Sequence, residues 1–110
     1  MGTYIHRAVI AVMPPNMSGT YAERYHAKMA ELSEFRASLP DDQWRALVIG
    51  PAPAVMNSFE WVIFLPDGSK EWWDTSDAGD GYRDQFLAIF PDALIAAWGD
   101  EPPTLTQAGR

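Results

Sequence analysis

The chain has 110 residues, 47% of them apolar and 13% aromatic, with 8 basic against 15 acidic side chains and a formal charge of −7. Length and composition fit one ordinary soluble globular domain that buries a core unaided, and they exclude collagen, a coiled coil, a membrane span and an aromatic-poor disordered chain. The absence of cysteine excludes a disulfide framework, a thiolate zinc site and a cysteine nucleophile.

Residues 3–13 (TYIHRAVIAVM) are β-branched and apolar, and the second half is apolar at successive positions, the pattern of a strand covered on both faces. Its short apolar run, 8–13, follows Arg7 and precedes no small-residue cleavage site, so neither a signal peptide nor a spanning helix is read there and a cytoplasmic location is expected. Pro14 and Pro15 end the strand. Tyr21, Tyr25, Met29, Leu32, Phe35 and Leu39 then recur every three or four residues, which predicts an amphipathic helix with Ser18 or Thr20 as N-cap and Pro40 as its stop.

Residues 44–49 read as a second strand, followed by Gly50-Pro51-Ala52-Pro53, a turn or bulged edge because proline cannot join a regular ladder. Residues 59–65 (FEWVIFL) are the strongest strand of the chain, and Pro66-Asp67-Gly68 predicts a hairpin to residues 70–74 (KEWWD). That register sets Val62 against Trp72, Trp61 against Trp73 and Glu60 against Asp74. One face then carries Trp61, Ile63 and Trp73, the other Val62, Phe64 and Trp72. Asp74, Thr75, Ser76 and Asp77 are helix-start residues, with Asp74 or Ser76 as the cap. Tyr82, Phe86, Ile89 and Phe90 form a second apolar stripe, giving a helix over about 76–90. Residues 93–98 are a last strand, closing a single domain of residues 1–98, and 99–110, with two prolines and little apolar content, read as a mobile tail. The order β-α-β-β-β-α-β defines an α+β fold: a single-layer antiparallel or mixed sheet with two helices on one face, ferredoxin-like with one extra strand.

Charge is concentrated in residues 67–101, where nine acids face only Lys70 and Arg83, a difference equal to the whole net charge. Such a segment repels phosphate backbones and attracts a basic protein surface, so direct nucleic-acid binding is not expected. Its densest part is Asp74, Asp77, Asp80 and Asp84. The run lacks the alternate-position acids and distal glutamate of a calcium loop, whereas acids at a helix start offset the macrodipole by about 0.3 to 1 kcal/mol each. No metal and no cofactor is expected. Gly79-Asp80-Gly81 lacks the lysine or hydroxyl of a phosphate loop, and its two glycines cost the helix about 1 kcal/mol each relative to alanine.

His6 and His26 have no motif partner, one beginning a strand and the other at the boundary of a helix stripe. No G-x-S-x-G elbow occurs. Glu60 and Asp74, even if opposed, lie in a small domain of short loops with little cleft. No catalytic residue is therefore singled out, and a non-enzymatic role is expected.

Five tryptophans, Trp44, Trp61, Trp72, Trp73 and Trp98, exceed what a small core needs, and helices on one sheet face leave the other face apolar, the mark of an interface. The expected function is an acidic protein–protein interaction module, an inhibitor in which Asp74, Asp77, Asp80 and Asp84, with Trp72 or Trp73, mimic a row of phosphates and engage a basic, nucleic-acid-binding surface of a partner. The analogy, of size and charge only, is to small accessory inhibitors of phages and mobile elements. The alternative is a small dimeric ferredoxin-like enzyme or ligand-binding domain that self-associates through the sheet face and keeps an apolar pocket near Tyr21, Tyr25, His26 and Trp61. A structural component of a larger particle shares the same interface logic.

Overall fold

The computed structural model describes residues 3–15, 19–56 and 59–109. Its elements are β1 (Ile5–Val12), α1 (Thr20–Ser38), α2 (Asp42–Arg45), β2 (Val48–Pro53), β3 (Glu60–Phe64), α3 (Asp74–Ile89), β4 (Leu94–Gly99) and β5 (Thr104–Gln107). The strands form one sheet in the order β2-β3-β1-β4-β5, antiparallel at every pairing. The first four strands follow the split βαβ arrangement of ferredoxin-like folds: α1 links β1 to β2 past β3, and α3 links β3 to β4 past β1. The α+β class read from the sequence is thus the class of the protein.

Strand alternation decides what the helices cover. Val9 and Ala11 of β1, Val62 and Phe64 of β3, and Val48 of β2 are buried in one cluster with Leu32 and Phe35 of α1 and Phe86 of α3. The rings of Phe35, Phe64 and Phe86 form a triangle with every centroid distance 5.8 Å, and Phe90 lies 5.0 Å from Phe86. Tilted and edge-on pairs of this kind add about 0.5–1.5 kcal/mol each beyond their buried area. This core cluster is therefore aromatic at its centre and lies between sheet and helices.

Four sequence expectations are corrected. Trp44 is helical: Asp41 caps α2 by accepting from the Trp44 backbone N–H at 2.9 Å, and the indole packs edge-on against Tyr82 at 4.8 Å. The second strand accordingly starts later, at Val48, and runs through the two prolines with a register shift between Ile49 and Ala52, the bulged edge that the prolines predict. The hairpin partner at 70–74 does not form. Asp67 turns the chain by accepting from the Ser69 backbone N–H at 2.7 Å, Lys70 makes only an isolated bridge to Tyr4, and α3 already begins at Asp74. Glu60 and Asp74 therefore do not face each other. Lastly, the segment read as a tail carries β5, which pairs with β4 from Leu94↔Gln107 to Ala97↔Thr104.

Helix starts differ in detail as well. Gly19, with φ 74°, is the N-cap residue of α1 and makes no side-chain cap bond, Thr20 is already helical, and Ser18 lies outside the described residues. For α3 the N-cap residue is Trp73 rather than Asp74 or Ser76, again without a side-chain cap. Among the described residues, no helix is long and apolar enough to cross a membrane.

Candidate functional site

Among the described residues, no element covers the sheet face away from the helices, and the register arranges its side chains in rows. Ile49 pairs with Ile63, Ile63 with Ile10 and Ile10 with Leu94, an aliphatic ridge across four strands. On one side of it, Ala52, Trp61 and Val12 form a second row. On the other side Ala8 lies opposite Ala96 and Ala96 opposite Leu105, a row of small side chains with a leucine at the sheet edge, and beyond it His6 pairs with Trp98. Trp61 is 43% exposed, Trp98 40% and Leu105 64%. None of the strand residues that point to this face is charged. Of the two apolar sets derived from the sequence, Trp61 and Ile63 lie on this open face, whereas Val62 and Phe64 are core.

Both ends of the face are elaborated. At one end Tyr4 stacks on His6 and His6 meets Trp98 at a tilt, with centroids 6.1 and 6.0 Å apart, and the Lys70 ammonium lies 5.1 Å from the Tyr4 ring. At the other, a groove of about 460 Å³ opens between Ile10, Val12 and Leu94 of the face and Pro91 at the end of the helical layer. Its lining is mainly aliphatic and aromatic. Lys28 reaches it from α1, but its ammonium donates to the Ile89 carbonyl and sits 3.6 Å from Glu31.

The acidic start of α3 occupies a separate surface. Asp74, Asp77 and Asp84 are exposed, as are Trp72 and Trp73, at 88% and 51%. The sequence left open which of that tryptophan pair is exposed, and both are. Trp72 holds φ 77°, a left-handed conformation that a bulky residue rarely adopts, and Trp73 lies 6.0 Å from the Lys70 ammonium. Asp80 differs from its neighbours because it pairs with Arg83 and lies 3.9 Å from Arg7, which itself binds Glu71 at 2.8 Å. Arg83 is buried and also faces the buried carboxylate of Asp67 at 3.6 Å. Two arginines thus neutralise part of the acidic segment internally, and of the four clustered aspartates Asp74, Asp77 and Asp84 are exposed without an arginine partner, whereas Asp80, half exposed, is paired.

The remaining candidates do not assemble into a site. Tyr25 donates to Glu60 at 2.5 Å, a bond that together with burial and the Glu60 charge raises the tyrosine above its ordinary titration range. His26 meets the edge of Tyr25, at 5.7 Å. Trp61 lies on the opposite side of the sheet, so Tyr21, Tyr25, His26 and Trp61 line no common pocket. Among the described residues, no three His, Asp or Glu side chains gather to hold a metal ion.

The open face was signalled in the sequence only through Trp61 and Ile63; the contributions of Trp98 and Leu105 were missed because the last strand was read without β5 beside it. No protein-family model matches this chain, and no curated protein or solved structure is found to be similar to it.

Proposed function

We propose that this protein is a small, non-enzymatic protein–protein interaction module that docks through the open face of its sheet. The observation that carries the reading is the uncharged, ridged apolar surface of five strands left bare by two helices that pack on one side only. The largest apolar patch of a typical monomer is about 300–600 Å² and is often functional, and this face, five strands at ~4.8 Å by six residues at ~3.4 Å, is of that size, on the order of 500 Å² in plan. Among the described residues, no nucleophile, base and orienting group stand together to favour a catalytic reading.

The acidic start of α3 is the weaker of the two surfaces, since Asp80 is bound by Arg83 and approached by Arg7. Asp74, Asp77 and Asp84, with Trp72 and Trp73, retain the charge and aromatic area for an inhibitor that engages a basic partner. Hydroxyl-radical labelling separates the two surfaces because each carries its own tryptophans. Labelled in an extract of the cells that express the protein and again after purification and dilution, Trp61 and Trp98 are expected to be protected in the extract and Trp72 to react equally in both. Protection of Trp72 and Trp73 alone would move the function to the acidic surface, and equal labelling of all four tryptophans would refute a docking role.

A further inference from the structure

We infer that the occupant of the open sheet face is a second copy of this chain, packed back to back about a two-fold axis that crosses the strands between the Ala8–Ala96 row and the Ile10–Leu94 row. The inference rests on the reading of that face as a docking surface. Charge selects the face: two copies carrying −7 each repel through any acidic contact, and the strand residues that point outward from the sheet are uncharged. Area permits it, since on the order of 500 Å² in plan, enlarged by ridged side chains, approaches the roughly 800 Å² per partner of a stable interface.

Relief gives the axis. A two-fold contact needs a patch complementary to itself. Here a low row of alanines, Ala8 at its floor only 6% exposed, lies beside a ridge of branched aliphatics, about 6.8 Å away at two residues along a strand. Rotation about a line between them sets Ile10 of each copy over Ala8 of the other, and Leu94 over Ala96, so that ridge fills trough on both sides. The same rotation carries Trp98 of the second copy past Leu94 to the mouth of the groove beside Val12 and Pro91, whose volume of about 460 Å³ accommodates an indole. An exposed tryptophan and an apolar groove open among the described residues thus answer each other across the axis.

Sedimentation velocity on the full chain tests this, with Ala96→Phe to fill the trough, Trp98→Glu to charge the groove contact, and Glu34→Lys on the exposed side of α1 as control. Circular dichroism checks folding, and Ala96→Phe, which adds apolar surface to an open face, remains decisive should Trp98→Glu not fold. The wild type and Glu34→Lys are expected to sediment at twice the 12.3 kDa of one chain, and Ala96→Phe to dissociate at least about tenfold more readily, as truncating or blocking a central contact does. A wild type that stays monomeric at hundred-micromolar concentration would overturn the inference, as would Ala96→Phe dimerising like the wild type. If the wild type is monomeric while Trp61 and Trp98 are protected in the extract, the second copy is wrong and the docking reading stands; if those tryptophans react freely there too, both fall.

Discussion

Gly79 on α3 and Asp67 in the turn after β3 meet so closely that a methyl group on the glycine would lie 2.3 Å from the Asp67 carboxylate oxygen. The same carboxylate faces buried Arg83 at 3.6 Å and accepts from the Ser69 backbone, so it cannot swing aside without leaving that arginine. A glycine inside a helix, which lowers helical propensity, is therefore what lets the turn dock on α3 and closes β3 against the helical layer.

Two neighbouring glycines consequently respond in opposite directions. Gly81→Ala, with nothing within 4 Å of the added atom, is expected to stabilise the fold by up to about 1 kcal/mol through helix propensity alone. Gly79→Ala is expected to destabilise it by about 1–3 kcal/mol, because displacing Asp67 leaves buried Arg83 short of a partner. Urea midpoints for the two variants check the reversal of sign.

Trp72 holds a left-handed backbone at 88% exposure. A non-glycine residue there costs roughly 1–2 kcal/mol and little burial offsets it, so Trp72→Gly is expected to raise the unfolding free energy by about 1 kcal/mol. Thermal melting reads this out. The variant is also expected to leave the association state unchanged, since Trp72 lies away from the open face.

Tyr25 provides the pH dependence. Its hydroxyl donates to Glu60, and that bond, then burial, then the Glu60 charge, hold its proton above the ordinary tyrosine value. A titration raised on folding contributes stability that is present below pH about 10 and is lost as pH rises through the folded-state value. Wild type is expected to exceed Tyr25→Phe by about 1 kcal/mol near neutral pH, the scale of one partly exposed hydrogen bond to a charged group. That margin should shrink above pH about 10. Urea titrations of both proteins across that range give the comparison.

The periodic elements were legible in the sequence because burial on one face writes itself into the residue pattern. The stripe from Tyr21 to Leu39 gave α1, Tyr82 to Phe90 gave α3, and residues 3–13 and 93–98 gave two sheet strands to within two residues. The hairpin after β3 was misread because Pro66-Asp67-Gly68 carries ordinary turn chemistry. What directs the chain instead is the long-range pull of Arg83 on Asp67, together with a left-handed Trp72 that no propensity favours. For β5 the obstacle was local polarity: TLTQ behind two prolines has only Leu105 to contribute to the apolar face.

The candidate site was half legible for a related reason. A bare sheet face followed from counting helices against sheet faces, yet its members depend on register, which a single residue of slippage inverts. The expected pairing of Trp61 with Trp73 gave way to pairings of Trp61 with Val12 and Ala52. The four aspartates were legible as a cluster, but not the removal of Asp80 by Arg7 and Arg83, which come from β1 and the next turn of α3.

The most direct test of a second copy on the sheet face is the solution mass by light scattering at low salt and at roughly 0.5 M salt, where the Debye length falls well below 10 Å. A face without charges, joining two chains of −7 each, predicts the mass of two chains at both conditions, with association no weaker at high salt because the repulsion between the chains is screened. A single-chain mass throughout, or a dimer that dissolves as salt is raised, would contradict it.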